Sequence, residues 1–134
     1  MLTRNQEHEL IMKSIYQYLF YERFGEEDAV KTLTEVYELP LEEIPLFSKE
    51  VVVKTLLNQK ELDEEITSKL RNWKLERLNI VCHAILLTAI GEVRFGSDID
   101  KGTAINTAVK LAKEYLDDKD YKFVNAILDN ILSK

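Results

Sequence analysis

The stretch AINTAVKLAKEYLDDKDYKFVNAILDNI, residues 104–131, decides the fold class. Ile105, Ala108, Val109, Ala112, Tyr115 and Leu116 recur at steps of three and one. Phe123, Val124, Ile127, Leu128 and Ile131 repeat the pattern further on. Apolar residues at that period line one face of an α-helix and cannot line one face of a strand. The stretch therefore reads as two amphipathic helices, with Asp117-Asp118-Lys119-Asp120 as the turn between them.

The same period extends toward the N-terminus. Leu78, Val81, Cys82, Ile85, Leu86, Ala89, Ile90 and Val93 form the broadest apolar stripe of the chain, closed by Gly96-Ser97-Asp98. Leu62, Ile66 and Leu70 mark a short helix that is acidic at its start and basic at its end, which suits the helix dipole. Phe47, Val51, Val52, Thr55 and Leu56 keep the helical period after Pro45, and the flanking Lys49-Glu50 and Lys54-Thr55 favour helix over strand despite three valines in a row. Val30, Leu33, Val36 and Tyr37 stripe a segment from Glu26 to Leu39 that opens on three acids and stops at Pro40. Ile11, Ile15, Tyr18 and Leu19 stripe the first segment, about Arg4 to Phe24, which Gly25 is expected to close. About seven helices with short loops predict an all-α helical bundle. No repeat, low-complexity tract or linker divides it, so residues 1–134 read as a single domain.

Composition agrees with a globular chain: 134 residues, 46% hydrophobic and 31% charged, with four Gly and two Pro. The one cysteine, Cys82, cannot form an internal disulfide. MLTRNQEHEL has no apolar core of a secretory signal, and IVCHAILLTAI falls short of the roughly 18 apolar residues of a membrane span. A cytoplasmic protein is expected. The net charge of −6 is unevenly placed: residues 26–66 hold twelve acids and four bases, so the rest of the chain is slightly basic.

Signs of catalysis are thin. His8 and His83 are far apart in sequence, and Cys82 lies within an apolar stripe, where it reads as a small buried hydrophobe. His83 reads as a boundary or surface histidine. No HExxH, CxxC, glycine-rich phosphate loop or calcium loop occurs, so no metal or cofactor is expected. Glu42-Glu43 and Asp63-Glu64-Glu65 read as solvated helix faces. What remains is binding. Lys122, Asn125 and Asp129 share one side of the last helix, with Lys119 at its start, while Asn106, Lys110 and Lys113 form a row on the helix before. Such rows can hold phosphates and base edges, or can be ordinary solvated faces.

AINTAVKLAKEY (residues 104–115) followed by KFVNAILDNI (residues 122–131) resembles the signature of the NusB-type transcription antitermination factors. Trp73, Leu75-Glu76-Arg77-Leu78, Ala84-Ile85-Leu86 and Glu92 resemble the stretch that precedes that signature, and Ser14-Ile15-Tyr16 resembles the family's A-L-Y in its first helix. The resemblance is good over about residues 73–132; residues 25–70 match only in length and helical character. It implies an all-helical fold of two small subdomains and no enzymatic activity. The implied function is transcription antitermination and rRNA biogenesis through binding single-stranded boxA-type RNA together with the ribosomal protein NusE. It also implies an RNA surface built from Arg4, Lys13, Tyr16, Lys119, Lys122 and Phe123, to which the polar rows add Lys113 and Asn125. Members of the family occur as monomers and dimers, so a homodimer is possible.

Departures from the family pattern are specific. The opening TRNQEHELIMK has two bases and two acids where the family has an arginine-rich run. Cys82 stands where an acid is common, Leu87 where an arginine is, Thr107 for Glu and Ala126 for Gly. Fewer basic residues neutralise fewer phosphates and flatten the salt dependence of binding. Two further readings are therefore kept: a protein-only interaction module on the same fold, and a free-standing relative of the NusB-like domain that precedes the catalytic domain of some rRNA cytosine methyltransferases. Tyr16 and Phe123 lie in apolar stripes, so each reads equally well as core or as RNA contact.

Overall fold

The computed structural model describes residues 1–71, 74–97 and 99–132. Seven α-helices occur among them: α1 (Arg4–Phe20), α2 (Gly25–Tyr37), α3 (Leu46–Leu57), α4 (Gln59–Lys69), α5 (Ile80–Phe95), α6 (Lys101–Tyr115) and α7 (Asp118–Leu132). Single 3-10 turns at Leu41–Glu43 and Leu75–Arg77 complete the described elements. Trp73 and Asp98, both used in the sequence reading, lie outside the described residues.

The broadest stripe becomes the centre of the molecule. Every residue from Ala84 to Glu92 is buried, so α5 is enclosed on all sides rather than along one face. Helices α1, α2 and α3 pack on one another and hold α5 through α1 and α3; α6 and α7 pack together and hold it from the other side. These two groups are the two small subdomains, and one continuous apolar core runs through both. Ile11 and Ile15 of α1, Val51 and Val52 of α3 and Leu128 of α7 are wholly buried in it along with α5's Ile85, Leu86 and Ile90. The three valines sit in α3, as the flanking residues suggested.

Helix starts follow side-chain chemistry. Thr3 accepts from the Gln6 N–H while the Gln6 side chain accepts from the Thr3 N–H, so two backbone donors are satisfied reciprocally at α1. Asn79 caps α5 through the Val81 N–H at 2.7 Å, and Asp100 caps α6 through the Thr103 N–H at 2.7 Å.

Four expectations change. Helix α1 ends at Phe20, Glu22 takes the left-handed conformation (φ 51°), and Gly25, at φ 89°, opens α2 instead of closing α1. The turn assigned to residues 117–120 is shorter, because Asp118 and Asp120 belong to the first turn of α7, where acids face the positive end of the helix. Leu78 precedes α5 and Leu116 follows α6. The acidic row of α4 is not merely solvated: Asp63 Oδ1 lies 2.6 Å from His83 Nε2, and Glu65 takes a two-pronged contact from Arg94, with Nη2 2.7 Å from Oε1. That Arg94 contact holds the Glu65 carboxyl below the usual range. These pairs fasten α4 across α5.

Candidate nucleic-acid interface

The expected binding residues separate into groups once the helices are placed. On α1, Lys13 follows Arg4 by nine residues, which at 100° per residue puts them about 180° apart around the helix. Arg4 faces α3. Its guanidinium lies over the Phe47 ring, 3.7 Å from the centroid, and its Nε is 3.7 Å from Glu7 Oε2. Glu7 is itself buried and accepts from Ser48 Oγ at 2.9 Å. Arg4 thus serves the α1–α3 junction and stands about 18 Å along the helix axis from Tyr16.

Lys13 and Tyr16 face the other way, into a groove between α1, the start of α5 and the end of α6. Met12, Val36 and Val81 floor it and Tyr115 borders it. The Tyr115 hydroxyl donates to Glu9, and that carboxylate pushes the phenol up to about 12. Tyr16 is half-buried, and its ring stacks on Phe20 with centroids 5.7 Å apart. Both readings of Tyr16 find a physical basis: its ring packs against the core, and it borders an open groove.

Lys119 and Phe123 sit together on the other flank of the α5 start. With Arg77, Leu78, Asn79, Cys82 and Asp120 they line a pocket of about 330 Å³ between the 3-10 turn at Leu75–Arg77, α5 and α7. Phe123 lies one and a half turns into α7 rather than in its first turn, half-buried with its ring packed against the core while lining this pocket. Burial pushes the Cys82 thiol up to about 12, helped by the charge of Asp120, so it stays a neutral thiol at physiological pH.

The remaining residues lie elsewhere on the surface. Lys122 and Asn125 are exposed and turned about 60° and 120° from Lys119 around α7. Lys113, on α6, lies with its ammonium 4.8 Å from the Tyr121 ring centroid, a cation–π contact on the α6–α7 side. The structure therefore brings together Lys13 with Tyr16, and Lys119 with Phe123, with the first turn of α5 shared between the two sites. It does not bring Arg4 or Lys113 to either. Sequence reasoning missed Arg77, Asn79 and Asp120 as lining residues; the one signal for Arg77 was its place in the LERL stretch.

The shared first turn supplies the positive end of a sixteen-residue helix, with its Val81 N–H already taken by the Asn79 side chain. Flanked by Lys13, Lys119 and Arg77 and by the rings of Tyr16 and Phe123, it has the makings of a site for a polyanion that carries flat aromatic groups.

The model of the NusB family matches residues 5–133. The transcription antitermination protein NusB of Methylacidiphilum infernorum is 32% identical over 133 residues, which is 98% of this chain and 92% of the relative. The chain belongs to the NusB family. The protein of the same name from Clostridium botulinum is 33% identical over 109 residues, 81% of this chain and 82% of its own. That from Ligilactobacillus salivarius is 49% identical over 87 residues, 64% of this chain and 66% of its own length, just under two thirds. Among solved structures, NusB of T. maritima superposes with a TM-score of 0.80 at 28% identity, covering 99% of this chain and 92% of that one. A chain from a complex of the antitermination factors NusB and NusE with double-stranded RNA gives 0.77 at 22% identity and 98% coverage of both chains, a likeness of fold. The all-helical architecture of two small subdomains is thus the family's own. No helix among the described residues is long and apolar enough to cross a membrane.

Proposed function

We propose that this chain is a transcription antitermination factor that acts as one domain, binding boxA-type single-stranded RNA jointly with the ribosomal protein NusE and catalysing no reaction. The observation that carries the proposal is the pair of sites around the first turn of α5, on a chain of the NusB family. The relatives' name, transcription antitermination protein, and the likeness to a chain solved with NusE and RNA support it.

Chemically, the arrangement suits unpaired RNA. Single-stranded bases can be splayed out and stacked on aromatic side chains, while cations take the phosphates. Tyr16 and Phe123 supply two rings on opposite flanks of α5, and Lys13, Lys119 and Arg77 supply the charge. The thin basic arm fits this placement, because Arg4 is committed to Phe47 and Glu7. Affinity then rests on the α5 start more than on the first turn of α1.

The proposal predicts salt-sensitive binding of a fluorescent boxA-type RNA, tightened when NusE is present. Fluorescence anisotropy at low salt, with and without NusE, is the test. Absence of RNA binding in both arms, with NusE still captured, would replace it with a protein-only interaction module.

A further inference from the structure

We propose that the cleft between the α1–α2 corner and α4 docks a basic segment of a further protein, anchored by an apolar side chain on Phe24. The proposal goes beyond RNA binding and does not depend on it. None of the residues lining this cleft lines either groove at the α5 start, where RNA and a partner that binds it jointly belong.

The corner is held stiffly. The Phe24 N–H donates to Asp28 Oδ2 at 2.9 Å, and the Gly25 N–H donates to the Tyr18 hydroxyl at 2.9 Å. Arg23 Nη1 donates to Thr32 Oγ1 at 2.6 Å and to Glu35 Oε1 at 2.8 Å. Gly25, at φ 89°, supplies a backbone angle that residues with a Cβ rarely adopt. Three consecutive residues are thus pinned, yet the Phe24 ring that they carry is 78% exposed. Leu57, 49% exposed at the end of α3, lines the same cleft of about 560 Å³. A large aromatic side chain left in water on a fixed backbone costs little further backbone freedom when it is covered. That is what an interface anchor requires.

Charge says what kind of partner fits. Residues 22–28 hold four acids and one base, and α4 holds four acids and two bases, so both walls of the cleft are negative. The one base of the corner, Arg23, is already engaged by Thr32 and Glu35, which leaves Lys60 as the other cation of the lining. Glu64 lines the cleft and is exposed, and Glu22, Glu26 and Glu27 are exposed on the residues that flank the corner. Such a rim repels a polyanion and draws in lysine or arginine. An uncharged apolar ligand would need the wall but not the rim. The acidic excess of residues 26–66, which RNA binding leaves unused, thus acquires a role.

The test titrates the full chain into a fluorescein-labelled peptide of two leucines flanked by lysines, beside a control peptide with glutamates for the lysines. Anisotropy is expected to show binding of the lysine peptide at low salt, weakening as salt rises, and at least tenfold weaker binding of the control. Phe24→Ala is expected to lower the affinity roughly tenfold, the loss that marks an anchor, and Glu64→Lys about threefold. Leu46→Ala removes a side chain that is 66% exposed at the far end of α3, about 16 Å along that helix from Leu57, and is expected to change nothing. Thermal melting shows that the variants are folded. Saturating boxA-type RNA or NusE is expected to leave the peptide bound. Equal binding by wild type and Phe24→Ala, equal binding of the two peptides, or no binding at low salt overturns the proposal. Displacement of the peptide by NusE would give the cleft to NusE, and self-association abolished by Phe24→Ala in light scattering would give it to a second copy; either result also overturns it. Loss of the RNA-binding reading leaves it standing, because the peptide is measured without RNA.

Discussion

Replacing His8 by alanine is expected to destabilise the protein by about 3 kcal/mol at neutral pH, the lower end of what removing one partner of a buried ion pair costs. His8 is 2% exposed, and its Nδ1 lies 2.5 Å from Oε2 of Glu92, which is 1% exposed. Burial raises the Glu92 carboxyl above 4.5, while the His8 hydrogen bond, the His8 charge and the more distant Arg4 charge pull it back. Without His8 the carboxyl moves further up. An acid whose folded pKa is raised contributes stability that is full below its unfolded value and lost as pH rises through the folded one. The variant is therefore least impaired near pH 4.5 and increasingly impaired toward pH 8. Thermal melts of wild type and His8→Ala across that range give the measurement. Equal loss at both ends would show that Glu92 carries no charge that His8 must satisfy. A His8→Leu/Glu92→Met double variant, which removes the orphaned carboxyl, is expected to be more stable than His8→Ala.

The pair matters to binding through geometry. His8 and Glu7 point inward from the first turns of α1, with the His8 ring edge-on to Phe47 at 6.1 Å and Arg4 over the same ring. Together they seat the beginning of α1 against α3 and α5. That seating fixes the direction in which the helix carries Lys13 and Tyr16 to their groove.

The second large effect is expected for Gly91→Ala. A Cβ built on Gly91 would lie 1.9 Å from Thr55 Oγ1 and 3.1 Å from Thr55 Cβ, where α3 crosses α5. Alanine improves helix propensity by about 1 kcal/mol over glycine, and that would stabilise an exposed position. Here the overlap is with a wholly buried side chain, and relieving it means moving α3 away from α5. Overpacking of this kind costs about 1–3 kcal/mol, and a 1.9 Å overlap puts it at the upper end; less the gain in propensity, the expected net is a loss of roughly 2 kcal/mol, or about 7 °C in a chain of this size. Thr55 Oγ1 is buried without a hydrogen-bond partner, so nothing is lost in deleting it beyond packing. Gly91→Ala/Thr55→Ala should recover most of the loss in a melting experiment. No recovery would mean that the backbone crossing, not the hydroxyl, sets the limit.

These two positions also show where sequence reading ran out. The helices were legible because burial imposes a period, and α5 and the α6–α7 pair carry it through ten or more residues. Helix ends were less so. Gly25 reads equally as the end of one helix or the start of the next, and Asp118 and Asp120 suit both a turn and a helix start. His8 and Glu92 are 84 residues apart, so no local pattern links them; TRNQEHELIMK read as a weak basic arm when two of its polar members, Glu7 and His8, face inward. Gly91 in mid-helix was a visible irregularity whose meaning needed the α3 crossing. The binding surface was half legible. Lys13, Tyr16, Lys119 and Phe123 came from the family resemblance. Asp120 was hidden by its assignment to a turn, and only the pocket shows what it stands beside.

The most direct test of the central claim, that RNA is held around the first turn of α5, is the dependence of RNA affinity on salt. Log Kd against log salt concentration would be compared for the wild type, Lys119→Ala, Lys13→Ala and Lys113→Ala. The account predicts that Lys119→Ala and Lys13→Ala each flatten the slope by about one counterion, while Lys113→Ala, whose ammonium sits on Tyr121, leaves it unchanged. A slope flattened only by Lys113→Ala would place the RNA on the α6–α7 side and contradict the account.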